Sequence, residues 1–383
     1  MNGMEVLMMI DIDLIDESVD RKDKVNDVRR GKMVQSMIVD MKSNVSLDLP
    51  EGYVMRPATI GDLKEAVEMF NAASRALIGV DEFTYEEYLP EWRTPGFNLE
   101  TDTRLVLTGE GKIVGCYELW DVNDPPVRLY CWGRVHPDYK GLGIGSNLLA
   151  WAEERAGETV LRAPEGTRVV LHTHARSLDK EANELFKTFG YRMIRQSWRM
   201  VIELNDQPPR AQWPAGIKVR TIKVGQEEIP ILQAVREAFR DHWGHVENPF
   251  EEDLERWMHW INSDIDFDPT LWFLAMDGDE IAGVSLCRPK ISDDPEMGWV
   301  DTLGVRRPWR KRGLGLALLH HSFGEFYQRG TKKAGLGVDA QSLTGATRLY
   351  RRAGMHLDAK HQHDLYEKEL RSGIDLTTQS VEE

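Results

Sequence analysis

Eleven residues, Val305-Arg-Arg-Pro-Trp-Arg-Lys-Arg-Gly-Leu-Gly315, combine what an anion needs: positive charge and bare backbone. Arg306, Arg307, Arg310, Lys311 and Arg312 crowd together in a chain whose net charge is −15. Gly313 and Gly315 let a backbone approach an anion with no side chain in the way. The apolar run at 300–305 reads as a strand, and the periodic residues Leu316, Leu318, Leu319 and Phe323 read as the buried face of a helix. Strand, glycine turn and helix start is a phosphate-binding layout, because the helix start presents unpaired N–H groups and the positive end of its dipole. A phosphate-bearing ligand is the simplest reason for local charge opposite in sign to the whole.

The rest of the composition bounds the setting. A length of 383 residues accommodates two domains with separate cores. The excess of acid, 63 Asp and Glu against 48 Lys and Arg, argues against general nucleic-acid binding and is compatible with amine substrates. Cys116, Cys131 and Cys287 are far apart, with neither metal-ligand nor disulfide spacing, so a reducing cytoplasm is expected. No apolar stretch approaches the roughly 20 residues of a membrane span. Residues 1–48 are expected to form a solvated or disordered extension without chemistry; an apolar start passes at once into acidic residues, with no basic leader.

The elements that position the turn occur twice. A strand at 53–57 precedes helical patterns at 60–77, with Thr59 as N-cap and Asp62 in the first turn, and at 81–92. Strands follow at 104–108, 112–117 and 127–135, then a second glycine turn, Val135-His-Pro-Asp-Tyr-Lys-Gly-Leu-Gly-Ile-Gly145. A strand at 169–174, a helix at 180–189 stopped by Gly190, and strand-like residues at 191–204 close the unit. Residues 207–214 form a linker, holding Pro208, Pro209 and Pro214. The same order then restarts: a strand at 217–222, helices at 229–243 and 250–261, strands at 271–277, 281–288 and 299–305, the opening turn, a strand at 333–338 and a helix at 345–353. Arg56 to Arg220, Phe186 to Tyr350 and Gly190 to Gly354 are each 164 residues apart, and Gly143 to Gly313 is 170, so the chain reads as a duplicated domain. The fold class expected is α/β (α+β), as an N-terminal domain at 49–206, a C-terminal domain at 215–370 and a tail at 371–383.

The repeated turn resembles the signature of the GNAT acyltransferases, in tandem form. That signature is a strand ending in Val, then Arg or Gln, two residues, Gly, one residue, Gly or Ala, and a Leu-rich helix. It appears here as Val305, Arg310, Gly313, Gly315, Leu318 and Leu319, and again as Val135, Gly143, Gly145, Leu148 and Leu149, with Lys140 in place of the Arg. A second signature of the family appears as Leu349-Tyr350-Arg-Arg-Ala-Gly354-Met355. The resemblance implies two GNAT domains, each a mixed, mostly antiparallel sheet flanked by helices, and acetyl-coenzyme A as cosubstrate, with no metal.

It also implies roles. Backbone N–H groups from Arg310 through Lys311, Arg312, Gly313, Leu314 and Gly315 to Leu316 hold the pyrophosphate, with Arg310 and Arg312 adding charge-assisted contacts. N–H groups from Leu303 to Val305 polarise the thioester carbonyl. Tyr350 is the expected proton donor to the departing thiolate, since a phenol with its unperturbed pKa near 10 stays protonated at neutral pH. The base is open. Asp301 is the first candidate, projecting from the same strand face as Trp299, which replaces the family's usual Glu; His242, His245 or a water chain are alternatives. The N-terminal half keeps Val135, Lys140, Gly141, Gly143 and Gly145, which could still bind coenzyme A. It has Phe186 in place of Tyr350, and Leu129 and Cys131 opposite Trp299 and Asp301, so it is expected to be non-catalytic.

Other clusters carry less. His356, His361, His363 and Asp364 match no ligand spacing and read as a solvated tail; His172 and His174 read as core or pocket lining; Trp243, Trp257, Trp260 and Trp272 read as core. The function expected is N-acetyl transfer to a small-molecule or peptide amine in the C-terminal half, in the cytoplasm, without nucleic-acid or membrane partners and with the oligomeric state open. A non-catalytic acyl-coenzyme A sensor or scaffold, or O- or S-acyl transfer, are the alternatives.

Overall fold

The computed structural model describes residues 48–380; the extension expected at 1–48 lies outside them except for its last residue. The first half runs β1 (Val54–Arg56), α1 (Leu63–Ile78), two short helices α2 (Tyr85–Tyr88) and α3 (Leu99–Asp102), β2 (Thr103–Leu107), β3 (Ile113–Trp120) and β4 (Arg128–Val135). It continues through α4 (Ile144–Val160), β5 (Val169–Arg176), α5 (Lys180–Thr188) and β6 (Arg192–Glu203). The second half repeats this as β7 (Ile217–Thr221), α6 (Glu228–Phe239), α7 (Phe250–Ser263), β8 (Trp272–Asp277), β9 (Glu280–Arg288) and β10 (Met297–Val305). Then come α8 (Leu314–Gln328), β11 (Lys333–Asp339), α9 (Ala346–Arg352) and β12 (His356–Arg371).

The repeat extends to side chains. Arg56 forms a two-pronged contact with Asp62 at 2.7 and 2.8 Å, and Arg220 forms the same fork with Glu227 at 2.6 and 2.7 Å. Each fork ties the first strand of a half to the start of its first long helix. Asp62 also accepts the Thr59 N–H at 2.8 Å, as the capping pattern requires. The helix expected at 81–92 is shorter: Tyr85–Tyr88 is helical, a separate turn spans Glu91–Arg93, and Pro90 between them has no N–H to continue the ladder.

Among the described residues twelve strands form one sheet, ordered β1-β2-β3-β4-β5-β12-β6-β11-β10-β9-β8-β7. The halves exchange their last strands. β6 does not close on its own β5 but pairs antiparallel with β11, from Glu203↔Lys333 to Ser197↔Asp339. β12 crosses into the first half and pairs with β5, from His363↔Arg176 to Arg371↔Val169. The segment read as a solvated tail is therefore an interior strand. Its polar side chains are partnered: Lys368 with Glu153 at 2.6 Å, Glu367 with His172 at 3.1 Å. The exchange leaves neither β5 nor β11 as an open edge.

Each half is a sheet between two helical layers. In the first, Ile144, Leu148 and Leu149 of α4 pack on one face, while Leu63, Val67 and Phe70 of α1 pack on the other. In the second, Leu319 and Phe323 of α8 take the first face, and Ile231, Leu232 and Val235 of α6 take the other.

Glu118 is buried in the α1 layer, accepting hydrogen bonds from Tyr88 (3.0 Å), Trp92 (2.7 Å) and Trp120 (3.2 Å). Burial outweighs those donors and pushes its carboxyl up to about 7. The folded state thus holds a proton that the unfolded chain releases near pH 4.5. Stability from this group is full at low pH and is lost as pH rises through 7. Glu118→Gln is expected to remove about 3 kcal/mol of the fall in unfolding free energy between pH 5 and 8, measured by urea titration at each pH. An unchanged slope would remove Glu118 as its source.

Candidate active site

β10 and β11 run parallel and stay paired only from Met297↔Lys333 to Trp299↔Gly335. Beyond that the ladder between β10 and β11 ends. A bulge interrupts the β9–β10 register between Val300 and Thr302, and Asp301 is the inserted residue. Its carboxylate lies 3.0 Å from Nε of Arg288, whose strand partner is Trp299, so Asp301 does share the face of Trp299. Alternation from Trp299 puts it there, and the bulge makes it the residue that the β9 register skips. The bulge also corrects the matching of the halves. β4 pairs with β3 without a bulge, so Tyr130 stands where Trp299 stands and Asp301 has no counterpart; Leu129 and Cys131 are not its equivalents.

The basic turn divides into pins and free charges. Arg306 bonds Glu237 at 2.6 Å, and Arg307 and Arg310 both bond Asp241, which is buried. Burial alone would raise the Asp241 carboxyl, but the two guanidiniums hold it below the usual range. Arg310 also donates to the carbonyls of Val305 (2.9 Å) and Ala238 (2.8 Å). Three of its five N–H donors thus fasten the strand end to α6, beside the phosphate contact expected of it. Lys311 and Arg312 remain exposed, with Lys311 at a positive φ of 60°.

Gly313, at φ 86°, precedes the helix in the left-handed region and carries no neighbour that a side chain would strike. The first helical bond is Ala317 N–H to the Gly313 carbonyl at 3.1 Å, which leaves the N–H groups of Leu314, Gly315 and Leu316 without a helical acceptor. Gly315 has a different reason from the one its spacing suggested. A Cβ there would lie 3.2 Å from Leu349 of α9, so the glycine permits helix contact. Gly145 repeats this against Leu185 at 3.3 Å.

Tyr350 on α9 is buried with Leu319, Phe323, Leu336 and Val338, and Leu303 packs on the same cluster. Burial pushes its phenol up to about 12, and its hydroxyl makes no hydrogen bond among the described residues. Tyr350 therefore sits on the α8 side of the sheet and Asp301 on the other, with the opening between β10 and β11 separating them. Val305 joins Trp309, Leu314 and Leu318 at the mouth of the turn.

Gly337 marks the opening. It lies in the interior of the sheet, paired with Arg199 of β6, yet is exposed. In the first half the register places His174 at that position, following Tyr130↔His172 as Gly337 follows Trp299↔Gly335. His174 bonds the Tyr130 hydroxyl and packs edge-on against His363 at 5.2 Å between ring centres. Burial pushes the His174 imidazole down to about 3, so it stays neutral. Arg134, Arg176, Glu82 and Ser74 fill the space beside it. The same place is thus open in one half and packed in the other.

Strand exchange supplies site residues that the sequence did not reveal. Arg199 lies over the Trp299 ring at 5.3 Å and 2.8 Å from Asp293, which His361 of β12 approaches at 3.0 Å. Burial would raise the Asp293 carboxyl, but the hydrogen bond with His361 and the Arg199 guanidinium hold it down to about 2. His361 and Arg199 looked like a tail and a first-half residue in sequence; only the crossing of β6 and β12 brings them to Trp299. His242 packs on Phe239 at 4.3 Å between ring centres, and Phe239 lies against Gly304 of β10; Trp243 stacks on Arg128 and Arg195, and the backbone of His245 bonds Thr378. A pocket between the halves reaches Arg288 from Glu86, Glu87 and Glu91 on one side and Asp264 on the other. Among the described residues no group of three or more His, Cys, Asp or Glu side chains is placed to hold a metal, and no helix is long and apolar enough to cross a membrane.

Comparison with known proteins places this geometry. Residues 232–355 match the acetyltransferase (GNAT) family model, and residues 100–193 match an acetyltransferase (GNAT) domain model. The mycothiol acetyltransferase of Streptomyces bingchenggensis is 31% identical over 263 residues, 65% of this chain and 77% of its own. That of Thermobispora bispora is 28% identical over 259 residues, 66% of this chain and 79% of its own. Among solved structures, a GCN5-related N-acetyltransferase from Sphaerobacter thermophilus superposes with a TM-score of 0.68 at 36% identity, covering 86% of this chain and 99% of the other.

Proposed function

We infer the reaction from the family: the chain belongs to the GNAT acetyltransferases, as two such domains in tandem. The proposal is that its second half moves an acetyl group from acetyl-coenzyme A to a primary amine of a small molecule, by direct attack. The relatives named mycothiol acetyltransferase support a small-molecule acceptor. The carboxylates around the pocket at Arg288 support a cationic one.

In this reading the donor approaches from the α8 side. Its pyrophosphate meets the open N–H groups of the turn at Gly313 to Leu316, and its thioester reaches the gap beside Leu303 and Val305. The acceptor approaches from the other face, past Arg288. Asp301 anchors the ammonium and takes its proton. The amine nitrogen then bonds the carbonyl carbon, while N–H groups from Leu303 to Val305 stabilise the oxygen as it gains charge. Collapse breaks the carbon–sulfur bond, Tyr350 delivers its proton to the sulfur, and the second proton of the acylated nitrogen leaves through water, which restores the Tyr350 hydroxyl. The first half, with Phe186 and His174, shapes the acceptor side without a reaction of its own.

The exposed Gly337 in the interior of the sheet is the observation that carries this reading, because it gives both substrates access to one point. Gly337→His, which copies the first half, is expected to lower transfer at least about a hundredfold by displacing the acceptor, with donor affinity unchanged. Unchanged transfer in that variant would sink the assignment of the crevice.

A further inference from the structure

The two halves carry the same groove with different charge. In each, the long helix meets the short one at a glycine–leucine contact, Gly315 with Leu349 and Gly145 with Leu185. The exposure of residues 141–150 matches that of 311–320 position by position. In the second half, residues 306–316 and 343–352 contain no carboxylate. Arg306, Arg307 and Arg310 are pinned inward, whereas Lys311, Arg312, Arg348, Arg351 and Arg352 are exposed and make no ion pair among the described residues. Arg352 lies close enough to α8 for its charge, after burial, to push the His320 imidazole down.

The first half reverses this. Gly141 and Leu142 replace Lys311 and Arg312, and Glu184 replaces Arg348. Lys140 is drawn to Asp179 at 3.4 Å and Glu181 at 3.1 Å, and Lys187 to Glu184 at 3.6 Å. A ligand carrying several phosphate charges meets attraction in one groove and carboxylates in the other.

We propose that each chain binds one acyl-coenzyme A, in the second-half groove alone, and that Arg348 and Arg352, on the helix abutting the turn that bears Lys311 and Arg312, select its 3′-phosphate. The inference rests on the coenzyme A reading of the donor above. The first-half turn is then a structural copy whose carboxylates exclude the ligand. A phosphate monoester is doubly charged near neutral pH, and guanidinium forks hold it by paired, charge-assisted bonds.

Calorimetric titration of the full chain with coenzyme A and with dephospho-coenzyme A tests this. One equivalent of coenzyme A is expected to bind, with dephospho-coenzyme A about tenfold weaker. The double substitution Arg348→Gln and Arg352→Gln is expected to bring coenzyme A down to the affinity of dephospho-coenzyme A. Binding of dephospho-coenzyme A itself should be retained in that variant, which reports an intact fold. A second equivalent of comparable affinity, or equal affinity of the native chain for the two ligands, overturns the inference and leaves the donor reading standing. Failure of both ligands to bind overturns the donor reading and the inference with it.

Discussion

Separated at residue 206, neither half is expected to fold. Residues 206–380 would lack β6, the strand that β11 pairs with from Lys333 to Asp339 and that also backs β12. Residues 1–205 would lack β12 and leave β5 with a free edge from Val169 to Arg176. Leu365 and Tyr366 on β12 are buried against the first half's two cores, and each such side chain contributes roughly 1.5–3 kcal/mol. Against a domain stability of about 5–15 kcal/mol, losing these contacts together with a strand's ladder removes most of the margin. Each piece alone should show no cooperative melt by circular dichroism, and the two pieces expressed together should copurify and melt as the intact chain does. A cooperative melt of residues 206–380 alone would show that the exchanged strand is dispensable.

Removal of one oxygen is expected to cost the enzyme most of its turnover. Tyr350→Phe should lower kcat about a hundredfold, with the donor's KM little changed, because general acid catalysis contributes roughly 10²–10⁴-fold. The thermal midpoint should barely move: the hydroxyl makes no hydrogen bond among the described residues, and the first half carries Phe186 at the same place. The pH dependence follows from the phenol's elevation to about 12 by burial. A group raised this far keeps its proton, and so its capacity to donate, throughout the working range. The native rate should therefore rise with pH as the acceptor amine loses its proton, then level off with no alkaline fall below about pH 11. Native turnover in the phenylalanine variant would remove Tyr350 as the proton donor.

The duplication and the glycine turn were legible in sequence because both are local patterns. A strand, two glycines and an apolar-periodic helix need only neighbouring residues to declare themselves. What a residue bonds to is another matter. Arg310 has the right type at the right spacing for a phosphate, yet Asp241, some seventy positions earlier, claims its guanidinium. Gly315 is where the family signature puts a glycine, but its neighbour is Leu349 rather than a ligand. Alternation places Asp301 on the face of Trp299, but the bulge at that residue, which shifts the match between the halves, shows only in the strand pairing. The strand exchange left no local trace. β6 reads as a strand whichever partner it takes, the segment of β12 reads as a solvated tail, and the choice of partner is set by edges formed far along the chain. With that partner unknown, His361 looked like tail and Arg199 like a first-half residue, although Arg199 lies over Trp299 and both reach Asp293.

The central assignment is acetyl transfer to a small amine at the second-half crevice. Incubation of the native chain with acetyl-coenzyme A and a panel of small primary amines, following free thiol and the mass of the acceptor together, tests it most directly. Thiol release matched by a gain of one acetyl group on an amine nitrogen, with both signals lost in parallel in Gly337→His and Tyr350→Phe, is the expected result. Acetyl transfer that persists undiminished in both variants, or thiol release with no acetylated amine, would contradict it.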